Sequence, residues 1–184
     1  MSSREAIEYE EFNNIDFSFK SYNDINMIGI YSENTIFKAC EFQGIYMNDC
    51  TFSKCNFESS TFFHGGISDC NFDNCNLKKC DMEETVLNVS YLKGSCLDNV
   101  NISNGELSGT MLINCSMKNA VMNNVIAEKT VFDNTDLSGS DLSGGNFEKA
   151  SFLNSNLDNI AWKGANIKDA EFDPGVKEKI LKLI

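Results

Sequence analysis

The chain has 184 residues, enough for one domain with a continuous core, and 27 acidic against 15 basic residues leave a net charge of −12. That balance excludes ordinary binding to a nucleic-acid phosphate backbone, which needs a basic patch. No run approaches the roughly 18 apolar residues of a membrane span, and Met1 to Glu8 has no apolar stretch of the signal-peptide kind, so a cytoplasmic protein is expected.

In chain order, residues 1–10 are expected to form a loose or helical N-terminal cap. From Phe12 every fifth residue is large and apolar: Phe12, Phe17, Tyr22, Met27, then onward to Trp162, Ile167 and Phe172. Of these 33 positions 31 hold Phe, Leu, Met, Ile, Tyr or Trp, and only Ser32 and Ala127 depart. A period of five fits neither a helix (3.6) nor an alternating strand (2.0). It fits a short extended piece followed by a turn, repeated without interruption. Two residues before the large position the side chain is small at 24 of 25 sites from Cys50 to Ala170, Ile160 excepted, and two after it stands Gly or Asn at 18 of 33 sites, the residues that tolerate the positive φ of a type II turn. From Ile25 to Ile36 the pattern is least regular, with Ser32 on the core phase and Ile28, Ile30 and Ile36 off it, and a local bulge is expected there.

Seven of the eight cysteines (Cys40, Cys50, Cys55, Cys70, Cys75, Cys80 and Cys115) lie on the small phase, and Cys96 does not. Were the repeats to close into a four-sided coil, residues five apart would fall on different sides, so Cys50/Cys55 and Cys70/Cys75/Cys80 would not converge as zinc ligands must. Cys50/Cys70 and Cys55/Cys75 stack one coil apart, near enough for a disulfide, but small buried hydrophobes are the simpler reading. His64, the one histidine, falls at a turn, with Asp24 and Glu84 in its column. It reads as a solvated turn residue, since a general base needs an orienting partner in reach. No phosphate loop or nucleophile elbow is present. No enzyme activity, cofactor or metal is expected.

In the middle of the chain, Val86, Tyr91, Met111, Val121, Ile126 and Val131 precede core positions where polar residues are usual. Either they form an exposed sticky patch that marks a protein partner, or they fold over the edges as packing. At the C-terminus Asp173-Pro174 reads as a helix start. Val176, Ile180, Leu183 and Ile184 recur at helical spacing among Lys177, Lys179 and Lys182, so residues 174–184 are expected to form a short helix that caps the rod and joins two copies into a homodimer.

The runs Thr135-Asp136-Leu137-Ser138-Gly139 and Ser140-Asp141-Leu142-Ser143-Gly144 resemble the pentapeptide repeat family. The resemblance implies an all-β fold, a right-handed quadrilateral β-helix, with four repeats per coil and both the large and small phases inward. It covers residues 11–173 and gives about eight coils, a rod of about 40 Å at the usual strand spacing. The Phe- and Cys-rich run Cys50-Thr-Phe-Ser-Lys-Cys-Asn-Phe57, the segment Leu137–Phe147 and the terminal amphipathic segment resemble the Qnr and MfpA type within that family. That type implies a dimer that mimics duplex DNA, binds DNA gyrase or topoisomerase IV, and can protect against fluoroquinolones. The unbroken phase leaves no room for the projecting loops that Qnr proteins carry.

Dividing the repeats into four sides, named here by their first core residue, gives 7 acidic and 2 basic residues on the Phe12 side, 5 and 4 on the Phe17 side, 6 and 2 on the Tyr22 side, and 6 and 3 on the Met27 side. The Tyr22 side, with Glu41, Asp81, Glu83, Glu84 and Asp141 against Lys20 and Lys163, is the expected surface for a protein partner. The other reading is a passive scaffold rod with a partner of a different kind.

Overall fold

The computed structural model describes residues 5–184. The chain winds as stacked square coils of twenty residues. One sheet stacks β1 (Ala6–Glu8), β3 (Asn26–Ile28), β5 (Tyr46–Asn48) and β7 (Gly66–Ser68) in parallel. The adjoining sheet stacks β2 (Glu11–Asn13), β4 (Tyr31–Glu33), β6 (Thr51–Ser53), β8 (Asn71–Asp73), β9 (Tyr91–Lys93) and β10 (Met111–Ile113). The register advances by one coil throughout, as in Ile7↔Met27 and Phe52↔Phe72. The other two sides pair only through single bridges such as Asp16↔Ile36 and Ser21↔Glu41, and beyond Ile113 every side does, as far as Ser151↔Glu171. Regular strands therefore cover fewer coils than the eight expected, four rungs in one sheet and six in the other.

Two kinds of hydrogen bond make the corner and the stack. Within a corner, the amide of the small residue bonds the carbonyl of the large residue three before it: Cys40 to Phe37 at 3.3 Å, Gly65 to Phe62 at 2.7 Å. With positive φ at the third turn residue, this is a type II turn. Between coils, the amides of Phe37 and Ala39 bond the carbonyls of Asn56 and Glu58 at 2.7 and 2.9 Å. The second of these bonds requires the left-handed conformation, and every fifth residue from Tyr9 to Asp169 adopts it. Asn and Gly fill only part of that column. Lys54, Lys79, Lys129, Lys149 and Val89 also sit there, at φ of 53° to 59°, because the stacking bonds outweigh a local preference of order 1 kcal/mol per residue.

Both inward phases are buried as expected. Phenyl rings one coil apart lie face to face: Phe37 and Phe57 with centroids 4.9 Å apart, Phe132 and Phe152 at 5.0 Å. Each such side chain contributes about 1.5–3 kcal/mol by burial. The small phase has a second role that explains its composition. Its hydroxyl or thiol donates to a core carbonyl in the coil before: Ser60 to Phe37 at 2.7 Å, Thr135 to Leu112 at 2.8 Å, Cys80 to Phe57 at 3.0 Å, Cys115 to Leu92 at 2.8 Å. Cysteine here is a donor interchangeable with Ser and Thr, more than the inert small hydrophobe expected from its position.

The expected bulge between Ile25 and Ile36 is absent. β3 and β4 keep register, Ser32 is fully buried, and its hydroxyl bonds the Phe12 carbonyl at 2.9 Å. Ile30 is buried on the small phase instead. The ends also differ from expectation. The ladder already begins at Ala6, so Ala6–Glu10 are not a separate cap; residues 1–4 lie outside the described residues. At the other end helix α1 is a single turn, Lys177–Ile180, with no side-chain cap. The Asp173 carboxylate does not cap it but accepts from the Asn154 amide at 3.1 and 3.2 Å, standing in for the carbonyl of a further coil.

Candidate functional site

The outward positions of each repeat are the two flanking the core residue and the left-handed corner residue, so every functional side chain stands in a column with one residue per coil. On the Tyr22 side one column reads Ser21, Glu41, Thr61, Asp81, Asn101, Val121, Asp141 and Ala161. Glu41, Asp81 and Glu84 are exposed, whereas Glu83 and Asp141 are half-buried. Four of the five bond amides, and Glu84 meets the His64 ring. Asp81 Oδ1 accepts from the Glu83 backbone and Asn101 Nδ2 at 3.3 and 3.2 Å, Glu83 from Asn104 Nδ2 at 3.4 Å, Glu41 from Asn23 Nδ2 at 3.2 Å, and Asp141 from the Ser143 amide at 3.0 Å. Among the described residues none of these five carboxylates meets a lysine. The side's own lysines, Lys20 and Lys163, stand at its two ends.

The Phe17 side is arranged differently. Lys38 pairs with Glu58 at 3.2 Å, Lys78 with Asp98 at 3.9 Å, and Lys118 with Asp136 at 3.3 Å, each across one coil. Its charges cancel locally, so it projects little field. Exposed pairs of this kind contribute at most about 1 kcal/mol each.

His64 is not the free turn residue expected. Its Nδ1 lies 2.8 Å from Glu84 Oε2, with the Phe63 ring centroid 3.9 Å from its own. Asp24 is two coils away in the same column, with Gly44 between, and does not reach it. The pair stands on an exposed corner. Among the described residues no three His, Cys, Asp or Glu side chains gather as a metal site. The stacked thiols are held in hydrogen bonds. A hydrogen bond to Cys50, then burial, push the Cys70 thiol up; burial, helped by the charges of Asp81 and Glu58, takes Cys80 to about 12, and burial beside Cys96 takes Cys115 to about 11. These three are thiols protonated at neutral pH, whereas hydrogen bonds from Cys70 and Cys75 pull Cys50 down and Cys55 to about 7.

The apolar outer residues separate into three sets. Tyr91, Met111 and Val131 are consecutive in one column of the Phe12 side, and Ile113, which the sequence pattern did not single out, adjoins them. With Phe72 and Leu92 beneath, Tyr91, Met111 and Ile113 border a shallow hollow of about 350 Å³. Val86 and Ile126 are separated by Glu106 on the Met27 side, and Val121 lies between Asn101 and Asp141, so these three form no patch.

The four C-terminal residues expected to join two copies differ in burial. Ile180 is 4% exposed and packs with Val176 on the end of the core, whereas Leu183 is 59% exposed, beside exposed Leu181 and Ile184. One helical turn is too short to keep all four on one stripe. Between this segment and the last coil lies a cavity of about 780 Å³ bordered by Phe152, Leu157, Ile160, Trp162, Ile180 and Leu183.

The fold is a parallel four-sided β-solenoid whose outward side chains stand in columns, one residue per coil. Residues 67–104, 106–139 and 115–154 match the family model of pentapeptide repeats, with eight copies, and the same five-residue phase and corner conformation run through the flanking coils. The chain is a pentapeptide repeat protein. Solved structures to which the chain is similar include HetL, a pentapeptide repeat protein involved in heterocyst differentiation regulation from the cyanobacterium Nostoc (15% identity, 91% of this chain and 87% of that one, TM-score 0.48). They also include QnrB1, a plasmid-mediated fluoroquinolone resistance protein (17%, 94% and 98%, TM-score 0.43), and a pentapeptide repeat protein of the Arabidopsis thaliana thylakoid lumen (16%, 71% and 66%, TM-score 0.22). No curated protein matches the sequence. No helix among the described residues is long and apolar enough to cross a membrane.

Proposed function

We propose that this protein acts by binding, not catalysis, and that its Tyr22 side imitates the charge of duplex DNA toward a type II topoisomerase such as DNA gyrase or topoisomerase IV. The observation that carries the reading is that Glu41, Asp81, Glu83, Glu84 and Asp141 face outward without a lysine partner while the lysines of that side stand only at its ends. A narrow, straight surface with carboxylates set at multiples of the coil spacing of about 4.8 Å offers anions to side chains that otherwise hold phosphates. The resemblance of the sequence to the Qnr and MfpA type supports the choice of enzyme. Quinolone protection is the corresponding physiological role. On the same reading Leu183 and Ile184 carry self-association of two copies at the C-terminal end.

The test is a gyrase supercoiling assay with the purified protein, with and without a quinolone. Inhibition or protection that fades with added salt and is competed by duplex DNA is expected, because exposed charges are screened over about 8–10 Å at physiological ionic strength. No effect on either topoisomerase at high micromolar protein and low salt would leave the passive scaffold reading in its place.

A further inference from the structure

The two ends of the rod are unlike, and each has what the other lacks. At the first coil the core residues Phe12, Phe17 and Tyr22 are only partly covered among the described residues, and the corner residues Tyr9 and Phe19 are 75% and 78% exposed. Residues 5–24 around them carry Glu5, Glu8, Glu10, Glu11, Asp16 and Asp24 against Lys20 alone. At the last coil that acidic excess is absent. The last twenty residues are neutral, Lys168, Lys177, Lys179 and Lys182 against Asp169, Glu171, Asp173 and Glu178, and the terminal lysines stand beside exposed Leu181, Leu183 and Ile184.

The backbone edges match in the same sense. In the last coil the amides of Trp162, Gly164, Ile167 and Asp169 have no acceptor among the described residues, and in the first coil the carbonyls of Asp16 and Ser18 have no donor. The edge turns a corner every five residues, so a straight strand could follow it for only about three. Another square coil can follow it round the corner from Trp162 to Asp169, the part that the terminal segment leaves open.

We propose that the basic, apolar C-terminal segment of one copy docks on the acidic, aromatic N-terminal end of a second copy, joining rods head to tail. Joining two N-terminal ends would set six carboxylates against six. Joining two C-terminal ends would set lysines against lysines. Only the mixed contact brings opposite charges and both apolar surfaces together. Such a contact is heterologous and does not close, so growth continues past two copies. The inference rests on self-association through the C-terminal segment and is independent of what the acidic side binds.

Sedimentation or light scattering of the full chain across a concentration series tests it. Mass is expected to rise beyond the dimer and to fall as salt is added. Lys179→Glu with Lys182→Glu should weaken association by at least about tenfold, as should Glu8→Lys with Glu10→Lys and Glu11→Lys. Mixing the two variants, or combining both sets in one chain, should restore growth. Thermal melts distinguish lost contacts from lost folding, and Phe19→Ser, at a solvent-facing corner, is a second probe expected to weaken association without lowering the melting temperature. A mass that stops at two copies and ignores the N-terminal substitutions overturns the head-to-tail contact but leaves C-terminal self-association standing. A monomer at every concentration overturns both and leaves the acidic-side reading untouched.

Discussion

The Cys115 thiol lies 2.8 Å from the Leu92 carbonyl oxygen, in the same place where Thr135 bonds Leu112 and Ser60 bonds Phe37. A serine at 115 keeps that donor, and an alanine leaves a buried carbonyl without one. Cys115→Ser is therefore expected to change stability by less than about 0.5 kcal/mol, and Cys115→Ala to cost about 1–2 kcal/mol. Urea unfolding of the two variants separates them. Equal losses would mean that the thiol is only filler.

Val89 is the β-branched residue in the left-handed column, at φ 56° with half its surface exposed, and its amide reaches the Ser108 carbonyl only at 3.3 Å. Replacing it by Asn or Gly relieves backbone strain without removing packing. Either change should stabilise the rod by about 1 kcal/mol. A lower melting temperature for both would show that the Val89 side chain contributes more than its corner costs.

The division of the C-terminal segment gives a paired expectation. Ile180→Ala uncovers the last coil and should cost about 2–4 kcal/mol, whereas Leu183→Ala should stay within about 0.5 kcal/mol, as exposed sites do. Similar losses at both positions would mean that residues 181–184 also lie on the core.

Asp98 provides an acid-range test. Burial works against its charge, but the Ser116 hydroxyl at 2.5 Å and the Lys118 amide at 3.1 Å donate to Oδ1 and hold its carboxyl below the ordinary 3.8. A depressed folded-state value means that its stabilisation is fully present above pH 3.8 and is lost as pH falls through the lower folded value. The stability difference between the wild type and Asp98→Asn should accordingly be flat at neutral pH and shrink in the acid range. A difference that grows on acidification would reverse the sign and sink the assignment.

The charge reading of the Tyr22 side predicts that Asp81→Asn, Glu83→Gln and Glu84→Gln together abolish topoisomerase binding while each stays within about 0.5 kcal/mol in stability. The same number of neutralisations on the Phe17 side, at Glu58, Asp98 and Asp136, should affect binding less, because those carboxylates already face lysines. Equal effects from both sets, measured by titration calorimetry, would remove the special role of the Tyr22 side.

The fold was legible because a period of five leaves an imprint at every coil. Phe12, Phe52, Phe72 and Phe132 announce a column twenty residues apart, and Ile7 lies on the same phase, so the early start of the ladder could have been read from it. The contact of His64 with Glu84 is visible in the same arithmetic. Other features had no local signal. Lysine and valine do not ask for positive φ, and only the bonds to the next coil impose it. The spacing of Val176, Ile180 and Leu183 suits one helical stripe, yet the chain leaves the helix after Ile180, and nothing in the spacing marks that exit. The patch of Tyr91, Met111 and Ile113 needed the stacking of neighbouring coils before its members became adjacent.

The twenty-residue register has a consequence for how this surface can change. A deletion of one repeat anywhere in the ladder would turn everything after it by a quarter revolution. Beyond the break, the column of Asp81 and Asp141 would continue on the neighbouring side, and the phenyl stacks would be rebuilt from different partners, nearly all of them still apolar. The core tolerates steps of five, since every side is lined alike, but the charge pattern tolerates only steps of twenty. Length variants that keep a partner are therefore expected to differ by whole coils, and those that differ by single repeats should fold well and bind poorly.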